Sequence, residues 1–307
     1  MDIKEISAYG FSAKINLTRG ACCISLRCGT LEILREPNYS QLDNPYLYGM
    51  PLLFPVNRID EGSFVFEDRL YRFPVNEPET GCHLHGTLHE TPFTLVEQGD
   101  GYLRAGYAAA AGEYHGFQHS FEIEVIYELC EWGLSHTVKV KNKSQNNMPC
   151  LLGYHTTFNA RPFGPAESTW VKVDVEREYE RNMKNYLPTG ICPEPDDVTR
   201  ALTAGEFEPC SRPISRHYKA PRAGVISIRS ARGEIMYENS DNLPFRLVYN
   251  GPANGYICLE PMTSLANSPR SPFTREDAGF NYIRPYSEQV FESRIKINIF
   301  NRKDHGI

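Results

Sequence analysis

Long apolar runs are missing from this 307-residue chain, as are paired cysteines, basic clusters and sustained helical periodicity. No segment approaches the ~20 consecutive apolar residues that a membrane-spanning helix needs. Lys plus Arg number 32 against 38 Asp plus Glu, a net charge of −6, and basic residues never gather into a long run. The positive footprint of nucleic-acid binders is therefore lacking. Nine cysteines are present, but apart from the adjacent Cys22 and Cys23 they lie scattered, with no CxxC pair to hold zinc or exchange thiols. They are expected to be reduced, buried thiols. The opening Met1-Asp2-Ile3-Lys4-Glu5 lacks the basic start and apolar stretch of a secretory signal. These features lead us to expect a cytoplasmic protein with neither a nucleic-acid nor a membrane partner.

What is present is period-two alternation. Phe121, Ile123, Val125, Tyr127 and Leu129 fall on one face and Glu122, Glu124 and Glu128 on the other, as a half-buried strand requires. Glu131-Trp132-Gly133 then forms a turn into Leu134–Asn142, which predicts a hairpin. Trp170–Glu176 and Phe291–Ile299 alternate in the same way. Shorter apolar runs at Phe11–Leu17, Cys22–Leu26, Val225–Ile228, Phe245–Tyr249 and Tyr256–Leu259 predict further strands. The 23 glycines and 22 prolines interrupt nearly every candidate helix. With no repeat and no linker, the prediction is an all-β chain, one domain over 1–307, built as a large antiparallel β-sandwich. Asn185–Arg212 reads as a long surface excursion.

Four polar clusters stand out against the strands: Pro55-Val56-Asn57-Arg58-Ile59, Leu84-His85-Gly86, Met148–Asn159 with His155 at its centre, and Ile257-Cys258-Leu259-Glu260-Pro261. A histidine inside an apolar run is either a hydrogen-bonded core residue or an acid–base group. A glutamate closing an apolar strand is either solvated or buried with a raised pKa, the condition for a general base near neutral pH. Each cluster alone leaves its two readings open.

Taken in order, the clusters resemble the aldose 1-epimerase family, the galactose mutarotases. Asn57-Arg58-Ile59 followed by Asp60-Glu61-Gly62-Ser63-Phe64 is similar to the family's arginine segment, and Leu84-His85-Gly86 to its first histidine motif. Leu134–Asn159 is similar to the central stretch that carries the second histidine. Leu187-Pro188-Thr189-Gly190 resembles a family turn, and Leu259-Glu260-Pro261 the segment holding the base. The resemblance implies a galactose mutarotase-like supersandwich that interconverts the α and β anomers of a free hexose or related sugar. It implies Glu260 as base, His155 as acid, and Arg58, His85 and Asn57 as sugar-binding residues. No cofactor and no metal are expected, the partner is a small-molecule sugar, and the assembly is a monomer or homodimer.

The chain also departs from the family. Where the family commonly carries an aspartate that holds sugar hydroxyls, this sequence reads Ile214-Ser215-Arg216-His217, and Thr156-Thr157 replaces a commoner Pro-Tyr. Arg216 is therefore a candidate for recruiting an anionic sugar. Two other classes compete. His83, His85 and Glu90, with His155 as a fourth ligand, approximate the metal set of a cupin. A sugar-binding or sensing sandwich without catalysis is the other, given 34 Tyr plus Phe available for stacking on sugar rings. A glycosidase would need a second carboxylate to pair with Glu260, and the sequence offers no convincing one. The remaining histidines have no evident partner, and His83 and His89 read as solvent-facing loop residues.

Overall fold

Strand alternation decides the architecture. The computed structural model describes residues 1–38 and 44–300. Ile123, Val125, Tyr127 and Leu129 are each at most 3 % exposed. Glu124 on the opposite face lies across from Lys139, whose Nζ is 3.0 Å from the carboxylate. The predicted hairpin is Phe121–Cys130 with Gly133–Asn142, closed by Gly133 at φ +137°. It sits within an eight-stranded antiparallel sheet. In spatial order the strands are Thr94–Gln98, Tyr102–Ala109, Phe121–Cys130, Gly133–Asn142, Glu288–Ile299, Gly233–Asn239, Ile226–Ser230 and Trp170–Val173.

A seven-stranded sheet packs against it. Its path runs Arg177–Tyr179, Ser215–Lys219, Phe245–Tyr249, Tyr256–Met262, Gly153–Tyr154 and Leu52–Leu53, with Thr157–Asn159 pairing beside it on Tyr256–Met262. One core cluster joins Val138, Tyr237 and Ile295 of the larger sheet to Tyr154, Phe158, Val248, Ile257 and Leu259 of the smaller. This is the β-sandwich that the alternation predicts. Ile6, Ala13, Ile15 and Leu26 of a four-stranded N-terminal sheet join the same core. On its other face the seven-stranded sheet carries a second cluster that includes Leu53, Tyr179, Phe245, Leu247 and Met262. That face also bears the polar residues considered below. Among the described residues, no helix is long and apolar enough to cross a membrane.

One element differs from the sequence expectation. Inside the 185–212 excursion lies an α-helix, Asp197–Ala204. Asp196 caps it by accepting from the Val198 and Thr199 amides, and Gly205 ends it at φ +74°. Only Thr199 and Leu202 of the helix are buried, so its apolar stripe is too short to show as a sustained periodicity.

The strand Glu288–Ile299 ties both halves of the larger sheet together, and Ile295 lies between Leu134 and Tyr237. Ile295→Ala should cost about 2–5 kcal/mol in urea unfolding. Glu292→Ala on the exposed face of the same strand should stay within about 0.5 kcal/mol.

Candidate active site

A register relationship brings the two key groups together. Tyr256–Met262 pairs antiparallel with Gly153–Tyr154, setting Gly153 opposite Met262, and with Thr157–Asn159, setting Thr157 opposite Cys258. Carried through the irregular step between those two short strands, this register leaves residue 155 facing residue 260. His155 Nε2 lies 3.3 Å from Glu260 Oε1. Gly153 is required beside them, because a Cβ there would stand 2.8 Å from Met262 Cβ and 2.6 Å from Val56 Cγ2.

Both groups line a cavity of about 390 Å³. Glu260 is 1 % exposed and His155 7 %. Burial pushes Glu260 up to about 8, although the Arg181 and Arg58 guanidiniums pull the other way. The same burial pushes His155 down to about 3. The pair thus holds one proton across a wide pH range.

Arg58 and His85 are delivered by a second, local pairing, Arg58–Asp60 with Cys82–Leu84. Asn57 and His85 both adopt φ +62°, a strained region for residues with side chains. They hold one another there. The Asn57 amide donates to His85 Nδ1 at 3.2 Å, and the His85 amide donates to the Asn57 carbonyl at 3.1 Å. A backbone N–H can only donate, so His85 Nδ1 is unprotonated and the neutral ring carries its hydrogen on Nε2. Burial keeps the ring neutral, its pKa well below the usual imidazole range. His85 is therefore a fixed donor lining the cavity. Gly86 follows at φ +65° with a Cβ position only 1.9 Å from the Phe54 carbonyl oxygen, so no side chain fits there.

Each of the five residues expected from the sequence lines this one cavity: Glu260, His155, Arg58, His85 and Asn57. Asn57 is engaged within the protein, its Oδ1 accepting from the Arg58 amide and its Nδ2 donating to Met262 Sδ. The guanidinium of Arg58 is held side-on by Glu77, with two contacts of 2.6 Å.

The sequence reading missed several neighbours. Glu77 is a second carboxylate in the cavity, but Arg58 occupies both its oxygens, leaving it neutralised rather than free to work across a glycosidic bond. Its only signal was a glutamate between proline-flanked residues ahead of the first histidine motif. Arg181, 8 % exposed, donates Nη2 to the Ser215 carbonyl and hydroxyl at 2.7 Å each. No sequence pattern marks it. Tyr186 lies beneath both guanidiniums, 4.5 Å from Arg58 and 5.7 Å from Arg181. Tyr46 packs on His85 and His89 with centroids 4.7 and 4.6 Å away, and Tyr249 also lines the cavity. Alternation along Phe245–Tyr249 could have placed Tyr249 beside Leu247.

Four expectations are corrected. Arg216 projects from the strand face opposite Ser215 and is paired with Glu178 at 2.8 Å and Asp196 at 2.6 Å, so it secures the helix start and does not line the cavity. Strand alternation explains this, because Ser215 takes the inward position. The cupin-like set does not assemble: His83 Nδ1 meets the Pro74 carbonyl oxygen, and Glu90 lies beside Arg19 and His89 at the surface. His83 and His89 are buried rather than solvent-facing, at 1 % and 6 % exposure. His119, buried too, does have partners, Tyr71 Oη and Ser144 Oγ at 2.7 Å each. His305 lies outside the described residues.

A large antiparallel sandwich with a buried histidine–glutamate pair beside a cavity on one sheet is the architecture, and comparison with known proteins gives its family. The family model for aldose 1-epimerase matches residues 4–275. A galactose mutarotase-like protein from Clostridium acetobutylicum superposes with TM-score 0.88 at 26 % identity, covering 98 % of this chain and 99 % of the other. An aldose epimerase homologue from C. elegans gives TM-score 0.77 at 14 % identity, over 98 % and 99 %. A galactose mutarotase-like protein from Lactobacillus casei gives 0.73 at 16 %, over 96 % and 100 %. The chain belongs to the aldose 1-epimerase family.

A carboxyl whose pKa is raised by folding stabilises the protein below its unfolded value and loses that contribution as pH rises through the folded one. For Glu260 the window runs from 4.5 to about 8. Glu260→Gln should therefore melt with wild type near pH 4 and several degrees above it near pH 9, by scanning calorimetry.

Proposed function

We propose that this protein interconverts the α and β anomers of a free aldose by opening and reclosing the pyranose ring. The observation that carries the reading is the 3.3 Å approach of His155 Nε2 to Glu260 Oε1 at the wall of a sugar-sized cavity.

Ring opening moves two protons. Glu260 as carboxylate takes the proton of the anomeric hydroxyl, whose O–H electrons become the second C1–O1 bond. The C1–O5 bond breaks with its electrons on O5, which takes a proton from His155 as imidazolium. The aldehyde turns about C1–C2, and on reclosure at its other face O5 attacks C1 and gives its proton back to His155 while the carboxylic acid of Glu260 protonates O1. The total proton count of the pair never changes.

That bookkeeping resolves the opposed pKa shifts. Carboxylate with imidazolium and carboxylic acid with neutral imidazole contain the same single proton, so the productive form is a tautomer of the one that burial favours. The Arg58 and Arg181 guanidiniums both favour the carboxylate. Arg58, His85 and Arg181 supply donors to sugar oxygens, and Tyr46, Tyr186 and Tyr249 supply faces for the C–H side of the ring. Free sugars mutarotate unaided in water, so two positioned groups worth about 10²–10⁴ each are sufficient.

Polarimetry on freshly dissolved α-anomers of several aldoses, in buffer with a chelator, should show faster equilibration of at least one. Glu260→Gln should slow it by about 10²–10⁴ towards the spontaneous rate. A bound sugar whose anomers equilibrate no faster than in buffer would leave the chain as a binder. For kcat/KM, the pair holds its one proton between about 3 and about 8, so the rate should fall through an alkaline limb near pH 8. A rate that instead rises through that limb would remove the imidazolium from the mechanism.

A further inference from the structure

The register that joins residues 155 and 260 does the same for their neighbours. Thr157 faces Cys258, two residues from Glu260 on the same face of the strand. One ligand atom each from His155, Cys258 and Glu260 therefore converges, all three lying within 4.8 Å of one another. Among the described residues this is the one such grouping of histidine, cysteine and acidic donors. We propose that these residues form a three-donor site for a thiophilic divalent cation of the zinc class, and that its occupation shuts off the acid–base pair.

The donor set selects the ion. Nitrogen, sulfur and carboxylate oxygen together suit zinc or cobalt, whereas magnesium and calcium favour oxygen alone. With metal–ligand distances of about 2.0–2.3 Å, tetrahedral donors stand about 3.3–3.7 Å apart. His155 and Glu260 are already at 3.3 Å, and Cys258 has at most about 1.5 Å to close. Two of the donor side chains carry unmet capacity inside the protein: Glu260 Oε1 and His155 Nδ1 are buried with no hydrogen-bond partner. A buried polar atom without a partner is costly, and a cation would relieve that cost at the carboxylate.

Burial and the Glu260 carboxylate push the Cys258 thiol up, and two neighbours pull the other way, toward the thiolate a metal would bind. Thr157 Oγ1 lies 3.3 Å from Cys258 Sγ and can donate to it once the sulfur is bound to metal. The Arg35 guanidinium, held over the Tyr48 and Tyr256 rings at 4.3 Å each, adds positive charge on that side. Binding displaces two protons to solvent, the S–H proton of Cys258 and the one held by the Glu260–His155 pair, as the metal–ligand bonds form. Three protein donors leave a coordination position for water from the cavity. The ion then occupies the lone pairs that base and acid need. Inhibition rests on the acid–base reading given above; binding does not.

Cobalt(II) titration of the chelator-stripped protein followed by absorption separates the two. One equivalent should produce a thiolate-to-cobalt charge-transfer band with intense tetrahedral ligand-field bands. The charge-transfer band should vanish in Cys258→Ser and persist in Cys192→Ser, which removes an exposed cysteine. Cys258→Ala, with a melting curve alongside, serves if the serine variant folds poorly. No band in wild type, or a band that survives loss of Cys258, overturns the site whatever the catalytic activity. In polarimetry, zinc should inhibit wild type, and Cys258→Ser should need at least about tenfold more zinc while keeping its uninhibited rate. Equal zinc sensitivity of the two would overturn the inhibitory role while leaving the proposed anomerisation untouched.

Discussion

The pairing of Tyr256–Met262 with the two short strands on either side of His155 is the constraint on which the site depends. Because side chains alternate with a period of two, a slip of one residue would send Glu260 into the core between the sheets and bring Leu259 to the cavity. Burial enforces the register: Ile257 and Leu259 belong to the main core, while Met262 packs in the cluster on the other face. The 3.3 Å approach of His155 to Glu260 is thus inherited from hydrophobic packing. The break in pairing at residues 155 and 156 matters too, since it frees the imidazole from a regular ladder and lets its amide bond the Pro51 carbonyl instead.

Charge in the cavity is balanced rather than concentrated. Arg58 is matched by Glu77, and Arg181 is tied to Ser215 near Glu260. A carboxylate this deep would otherwise stay protonated at all ordinary pH. The two guanidiniums moderate burial without cancelling it, leaving Glu260 poised at about 8. Backbone strain is spent in the same place. The left-handed Asn57 and His85 satisfy one another, fixing both the direction and the tautomer of an imidazole that could otherwise rotate.

How much of this was legible in the sequence follows from the range of the interactions. Phe121–Leu129 and its hairpin partner declared themselves, because alternation is a local property and one face is buried along the whole strand. His155, Glu260, Arg58 and His85 stood out as polar residues inside or beside apolar runs. Arg181, Glu77 and Tyr186 did not, since nothing in their own neighbourhoods distinguishes them from surface residues. Side-chain contacts across the cavity, Arg58 with Glu77 and Tyr186 and Arg181 with Ser215, are what mark them. Arg216 misled for the complementary reason: its neighbour Ser215 takes the inward position, which a motif alone cannot settle. The helix at Asp197–Ala204 was hidden by brevity, although its Asp196 cap and Gly205 stop were both readable.

The segment carrying Arg181 and Tyr186 is anchored twice, by the edge strand Arg177–Tyr179 at one end and by the Arg216–Asp196 ion pair at the other. Between those moorings the chain contributes side chains to the cavity but no strand to either sheet. Doubling the length of such a loop costs only about 0.6 kcal/mol in closure entropy. This stretch can therefore vary in length at little cost to the sandwich, and any variant of it that moves Arg181 or Tyr186 reshapes the cavity wall and the charge beside Glu260.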